Sequence, residues 1–551
     1  MNKFDRYADV VKVDYFTPGA LFKIRFDPDL MMMQVLSTSE HLFQCMREAF
    51  SAENESAFFI KAHGYSIDSK VYLINKFGYF KPGLIFDILS YIKVNFGQTN
   101  VLMMSENCKD YITDYIIPFK KYIKNLNKDT FKIKNIADSS GINNSRPDDK
   151  KLKLRYYQSE AIKRIIFEGY GRGLIELPTS AGKSFVIANL IHNIDRSIMA
   201  GLRYLIFVPN RQLVNQFYND LLDYGFSDKI VTMFTSSKKG EPKYNPDAQI
   251  IITNRQYLFS NIDRLPKIDA IINDEVHQSK PDSQTLNVVD NMFDCKIKVG
   301  LSGTLPRHKY SKLSLVGSFG RIVYVETITD LQDQGYITKL KINVLSIKDK
   351  DIEKDRNYLF HERSFVKFAL DGSSGIEFNA AYDAEIDYIN KNYVKLYSPI
   401  LDILNNLEGN TLVLFDRIEF GQNMFNMTKE SMFNKSVHYI DGQTPIIERE
   451  NGRSMMETSN NNIMFGQCSI LSTGINIKNL TNLVLMVSTK SFSRILQSIG
   501  RTLRLHQDKD YAQLYDISFN FKYSQKHFKE RINIYKEMYH KKPDSIKVFE
   551  V

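Results

Sequence analysis

A lysine, a hydroxyl and two adjacent carboxylates occur where they could move a phosphoryl group to water. The run GLIEL leads into Pro178-Thr179-Ser180-Ala181-Gly182-Lys183-Ser184 and then into the helical pattern FVIANLIHNI. Small residues at Thr179, Ser180, Ala181 and Gly182 let backbone N–H groups close around phosphates. Lys183 would reach the β- and γ-phosphates, and Ser184 would offer its hydroxyl to Mg²⁺ at a helix N-terminus, where the dipole favours anions. Leu177 stands where the usual phosphate-loop pattern has its first glycine. Further on, the apolar run IDAIIN ends in Asp274-Glu275-Val276-His277. Asp274 is expected to hold Mg²⁺ and Glu275 to act as general base on the water that attacks the γ-phosphate.

Such groups meet only if the elements carrying them end side by side. Short apolar runs alternate with helical segments from about residue 151: GLIEL, YLIFVP, QIIIT, IDAIIND and IKVGLSGT, then TLVLF, VHYID, CSILS, NLVLMV and YAQLYDI. Buried runs of this length, each followed by a loop and a helix, predict parallel strands in βαβ units. Two series predict two doubly wound α/β domains, 151–330 and 335–517, with ligands at the carboxyl ends of their strands. Residues 1–125 read as a small α+β domain, 126–150 as a basic linker, and 351–378 as a charged insertion in the second α/β domain. Residues 518–551 read as a basic amphipathic helix. Lys522, Lys526, Lys529, Arg531, Lys536, Lys541 and Lys542 would form its polar face, solvated or tracking DNA, and Phe528, Ile532, Tyr535 and Tyr539 its apolar stripe.

The composition is that of a globular chain. Of 551 residues 43% are apolar and 25% charged, which argues against disorder and a collagen-like fibre. No apolar run has membrane-spanning length, no secretory signal is evident, and four scattered cysteines argue against a disulfide framework or zinc ribbon. A net charge of +10 fits a nucleic-acid partner without requiring one. A reducing, cytoplasmic setting is expected, with no membrane partner.

The ordered motifs resemble those of the superfamily 2 helicases. Arg155-Tyr156-Tyr157-Gln158 stands where that family reads adenine, which makes Tyr157 and Gln158 cofactor-binding by resemblance. FVPNRQL (207–213) resembles motif Ia, ITNRQ (252–256) motif Ic, Ser302-Gly303-Thr304 motif III and STGIN (472–476) motif V. QSIGRTLR (497–504) resembles motif VI, so the set runs from Arg155 to Arg504. LPTSAGKS, NDEVHQ, GLSGTL, STGINIKNL, LQSIGRTLR and the tail HFKERINIYKEMYHKK are similar to the UvsW-like helicases of T-even phages, although the tryptophan turn expected near the start is absent. The resemblance implies two RecA-like domains closing on ATP, with Arg501 and Arg504 reaching the γ-phosphate from the second. It also implies Gly474 at the nucleotide, and Asn210, Arg211, Thr253, Gln256 and Thr473 on one strand's phosphate backbone. His277, Ser302, Thr304 and Gln497 would couple the two sites.

By that resemblance the chain would be a monomeric ATP- and Mg²⁺-dependent 3′→5′ helicase in the cytoplasm of a phage-infected host. It would act on branched DNA, single strands and DNA/RNA hybrids (forks, Holliday-type junctions, R-loops) in recombination, replication and repair, beside recombination or single-strand-binding proteins. The N-terminal domain would grip nucleic acid. The rival reading is a duplex translocase motor for a restriction or defence complex whose nuclease sits in another subunit. A dead binding module is disfavoured by Lys183, Asp274, Glu275, Arg501 and Arg504 all being present.

Overall fold

The computed structural model describes residues 20–54, 68–96, 102–139, 152–236, 243–292, 294–360, 376–432, 434–468, 477, 479–486, 499–500, 511–538 and 546–550. The chain divides into two compact units, one carrying the N-terminal sheet and the first large sheet, the other the second large sheet. No helix among the described residues is long and apolar enough to cross a membrane.

The N-terminal sheet contains β1 (Phe22–Asp27), β2 (Met32–Ser37), β5 (Tyr79–Phe80) and β6 (Leu102–Met104), in the order β5-β2-β1-β6, and β3 (Ser51–Glu53) pairs with β4 (Lys70–Tyr72) beside it. The β1–β2 and β2–β5 pairs are antiparallel. The helix Ile85–Phe96 buries Ile85, Ile88 and Ile92 at helical spacing. This sheet shares one continuous core with its neighbour: Phe22, Ile24, Leu84 and Ile88 belong to the same buried cluster as Leu315, Val316 and Phe319 of the helix Lys309–Phe319. Gly83 makes the close approach possible, since a Cβ there would lie 2.2 Å from the Val316 carbonyl oxygen. Lys81 pairs with Asp290 at 2.8 Å, and Lys309 Nζ donates to the Ala49 carbonyl at 2.7 Å.

The first large sheet holds β7 (Arg172–Glu176), β8 (Tyr204–Val208), β9 (Val231–Phe234), β10 (Ile250–Asn254), β11 (Ala270–Asp274), β12 (Ile297–Ser302) and β13 (Ile322–Val325), in the order β13-β7-β12-β11-β8-β10-β9. Every pairing is parallel. Every residue of β8 and β10 is buried, as a sheet covered by helices on both faces requires. The second large sheet runs β16-β17-β15-β18-β19-β14-β20, again all parallel, from β14 (Lys339–Ile347), β15 (Thr411–Phe415), β16 (Ser436–Ile440), β17 (Asn462–Gln467), β18 (Asn482–Met486), β19 (Tyr511–Phe519) and β20 (Ile546–Glu550). Two parallel α/β sheets preceded by a small mixed α+β domain are the fold class that the alternating runs predict.

Three local expectations need correction. The strand of the second sheet expected at CSILS is formed instead by β17, whose first five residues are buried, and residues 469–472 lie outside the described residues. Part of the expected linker is tied down rather than solvated. Asn189 and Asn193, one turn apart and fully buried, accept from the Ile136 and Lys134 amides at 2.9 and 2.8 Å, and Asn193 Nδ2 donates to the Lys134 carbonyl at 2.8 Å. The C-terminal segment is not one long helix: a helix spans Lys522–Met538, and β20 then adds an edge to the sheet beside β14.

Arg531 is also not on a solvated basic face. It is 1% exposed, and its guanidinium grips Asp516 of β19 with Nε at 2.9 Å and Nη2 at 2.8 Å; Tyr535 Oη donates to the same carboxylate at 2.6 Å. Removing one partner leaves the other charge buried and alone, which typically costs about 3–5 kcal/mol, whereas replacing both with apolar residues of similar volume is often close to neutral. Arg531→Ala should therefore lower chemical-denaturation stability by about that amount, and Arg531→Met with Asp516→Leu by far less. Equal losses in the two proteins would show that the pair does not fasten this helix.

Candidate nucleotide site and its coupling loop

β7, β12 and β11 are neighbours, so the loops leaving their carboxyl ends emerge together. The register sets Glu176 opposite Ser302 and Leu301 opposite Asp274, which puts the phosphate loop, the Ser302-Gly303-Thr304 turn and the Asp274-Glu275 turn on one level. Leu177 is fully buried and its amide donates to the Ser302 carbonyl at 2.9 Å. The hydrogen-bond ladder thus extends one residue past β7, and the chain then turns through Ser180 (φ 76°) and Gly182 (φ 78°). The helix Lys183–Ser197 starts there and buries every residue from Phe185 to Ile194.

Glu275 is the centre of the site. Its backbone is left-handed (φ 54°), a conformation that costs a non-glycine residue on the order of 1 kcal/mol or more. Arg255 holds it: the guanidinium donates to the Glu275 carbonyl at 2.9 Å and to Gln278 Oε1 at 3.3 Å. Burial drives the Arg255 guanidinium down to about 10, against the pull of Asp274 and Glu275. The Glu275 carboxylate lies 3.4 Å from Lys183 Nζ and 3.2 Å from His277 Nδ1. Burial alone would raise its pKa, but Lys183 and His277 outweigh that and hold it below the ordinary carboxylate range. Asp274 moves the other way, raised by burial and by the Glu275 charge beside it. The surroundings therefore pull the two acids apart: Lys183 and His277 favour the ionised form of Glu275, whereas burial beside that charge disfavours the ionised form of Asp274, which a bound cation would stabilise.

His277 carries the arrangement onward. Its Nδ1 lies 2.8 Å from Ser302 Oγ. Ser302 donates its one proton to the Thr304 carbonyl at 2.6 Å and accepts the Thr304 amide at 3.1 Å, so Nδ1 must be the donor, shared between Ser302 and Glu275. Lys183, Glu275, His277, Ser302 and Thr304 form an unbroken chain of contacts.

The other expected residues divide. Gln158 is 4% exposed, and its amide lies 2.7 Å from where a Cβ on Gly182 would stand, so it packs against the phosphate loop. Tyr157 does not present its ring to a nucleotide: it is fully buried and its hydroxyl accepts from Arg155 at 3.1 Å, whereas Tyr156 is 68% exposed. Thr253 is fully buried, so its side chain does not face solvent as a phosphate contact would. Asn210 caps the helix Arg211–Asp223, accepting the Leu213 amide at 3.0 Å. Arg211 donates to Ser236 Oγ at 3.0 Å, and Gln256 is exposed. Thr473, Gly474, Gln497, Arg501 and Arg504 lie outside the described residues.

Three functional residues were missed from sequence. Arg255 sits inside the motif Ic segment, but its reach to the next strand's turn leaves no local signal. Glu176 accepts the Leu305 amide at 3.2 Å and so ties the turn after β12 to β7; its signal was an acid inside an apolar run. Tyr224, at the end of the helix that Asn210 caps, places its hydroxyl 2.9 Å from Ser184 Oγ. Ser184 and Asp274 fit a hard cation, because Asp274 Oδ1 is buried without a hydrogen-bond partner among the described residues. A serine giving a lone pair to such a cation needs an acceptor for its proton, and Tyr224 Oη is in place.

The family described as "Type III restriction enzyme, res subunit" matches residues 151–307, and "Helicase conserved C-terminal domain" matches residues 395–506. The ATP-dependent DNA helicase UvsW of Enterobacteria phage T4 is 28% identical over 379 residues, covering 67% of this chain and 69% of that protein. In both halves the chain resembles a superfamily 2 helicase of the UvsW kind. The solved structure of T4 UvsW aligns over 96% of this chain and 99% of its own at 22% identity, with a TM-score of 0.40. The ATP-dependent Type ISP restriction-modification enzyme LlaBIII bound to DNA shares the fold, with a TM-score of 0.54 at 16% identity over 84% of this chain and 36% of its own. Similarity to these nucleic-acid-dependent ATPases implies that the chain uses ATP.

Lys183→Ala should abolish ATP turnover, and Glu275→Gln should retain nucleotide binding while losing turnover, by about 10²-fold or more for a general base. Normal turnover in Glu275→Gln would remove its role as base. Tyr224→Phe should weaken the Mg²⁺ dependence of the ATPase by about 3- to 10-fold, the worth of one neutral hydrogen bond, without changing the melting temperature of the free protein appreciably. An unchanged Mg²⁺ titration would show that Tyr224 does not support Ser184.

Proposed function

We propose that this chain is an ATP- and Mg²⁺-dependent helicase that unwinds or branch-migrates forks, junctions and R-loops during phage recombination, replication and repair, in the cytoplasm of the infected cell. The observation that supports this most is the similarity to UvsW, which spans both helicase halves.

Lys183 and the phosphate-loop amides bind the β- and γ-phosphates, and Ser184 and Asp274 hold the metal, whose charge offsets that of the phosphates. A γ-phosphate competes with Glu275 for Lys183. As Lys183 shifts to the phosphate, the Glu275 carboxylate is freed to orient and deprotonate water. Arg501 and Arg504 supply positive charge in the transition state; such arginines are typically worth about 10³–10⁵ in rate. Arg211, Gln256 and Thr473 contact the phosphate backbone of one strand, so binding is sequence-independent and salt-sensitive.

A second reading, a duplex translocase motor for a restriction complex, is favoured by the res-subunit match at 151–307. Removing the N-terminal domain would strip apolar surface from the shared core, so the test uses the full chain. ATPase rate and strand separation are measured on single strand, plain duplex, fork, four-way junction and R-loop. Activity concentrated on the branched substrates is the expected result. Strong ATPase on plain duplex without strand separation would replace this reading with the motor.

A further inference from the structure

At the amino-terminal ends of the same strands, the register pairs Arg172, the first residue of β7, directly with Lys298, the second residue of β12. Like charges facing each other on neighbouring strands are destabilising, and these two are 8% and 3% exposed. Neither meets a carboxylate among the described residues. Arg172 Nη2 donates to the Cys295 carbonyl at 2.9 Å and Lys298 Nζ to the Val289 carbonyl at 2.6 Å, while Arg172 Nε is buried with no hydrogen-bond partner. Burial, with the Arg172 charge added, pushes the Lys298 ammonium down to about 7. Buried charges are ordinarily paired, and this pair is not.

Both residues line a cavity of about 250 Å³, walled further by Asp290 and Ser318 of the same domain and by Asp29, Lys81, Gly83 and Tyr111 of the N-terminal domain. Asp290, a nearby carboxylate in the wall, is engaged by Lys81 at 2.8 Å. The space is large enough for a tetrahedral ion and several waters. We propose that this cavity is a binding site for a small tetrahedral oxyanion such as inorganic phosphate, held by Arg172 and Lys298 and bridging the N-terminal domain to the first nucleotide-binding sheet. The site is separate from the phosphate loop, which lies at the other end of the same strands.

The test uses full-length Lys183→Ala protein, so that the phosphate loop does not report. Its melting temperature is followed with potassium phosphate and with potassium chloride at matched ionic strength. Phosphate should raise it by at least about 2 °C over chloride at saturation. Adding Lys298→Met, which removes the charge and keeps the length, should abolish that difference. No phosphate-specific shift in the Lys183→Ala protein, or a shift that survives Lys298→Met, would overturn the site. ³¹P line broadening of inorganic phosphate by the Lys183→Ala protein gives a reading that does not depend on the folding of the second variant: broadening is expected, and its absence at stoichiometric phosphate overturns the proposal.

Discussion

The rest of the nucleotide site depends on one buried carboxylate that must stay charged. Moving an ionised carboxylate out of water costs several kcal/mol even after the surroundings relax. Glu275 meets that cost with an ammonium on one side and an imidazole N–H on the other. Each partner is itself fixed by a different element. Lys183 opens the helix after the phosphate loop, and His277 is steered by Ser302 at the end of β12. A change in the charge on one side of Glu275 therefore alters the balance on the other, and on the proposed function this is the route by which a phosphate arriving at Lys183 would be felt at the turn after β12.

That geometry needs a backbone that brings three strand ends level, and two long-range ties complete it. Arg255, rooted at the end of β10, keeps Glu275 in its left-handed conformation, and Glu176 anchors the Leu305 amide to β7. The helix Arg211–Asp223 joins the two proposed sites: Asn210 and Arg211 lie at its start, where the strand contacts are proposed, and Tyr224 lies at its end, on the metal-side serine.

What was legible in the sequence was what contiguous residues determine. The phosphate loop and the Asp274-Glu275 pair announce themselves because one strand end and one loop make each, and the apolar runs gave the two parallel sheets because buried parallel strands need such runs. Long-range partners left no such trace. Arg255 acts on Glu275, 20 positions away in sequence, and Tyr224 on Ser184, 40 positions away, and Tyr157 could be told from Tyr156 only by which ring the core takes in. Arg531 was placed on a solvated face because a lone arginine on a basic helix is usually exposed, and the buried Asp516 that claims it lies on the strand before. The linker misled in the same way: its polar composition suits solvent, but Asn189 and Asn193 offer buried amides that its backbone takes.

The most direct measurement of the coupling is a double-mutant cycle on His277 and Ser302, read as the stimulation of ATPase by nucleic acid. If both residues belong to one relay from Glu275 to the turn after β12, the double variant His277→Ala with Ser302→Ala loses no more stimulation than the worse single variant. Losses that simply add would contradict the relay and leave Glu275 held by two unrelated contacts.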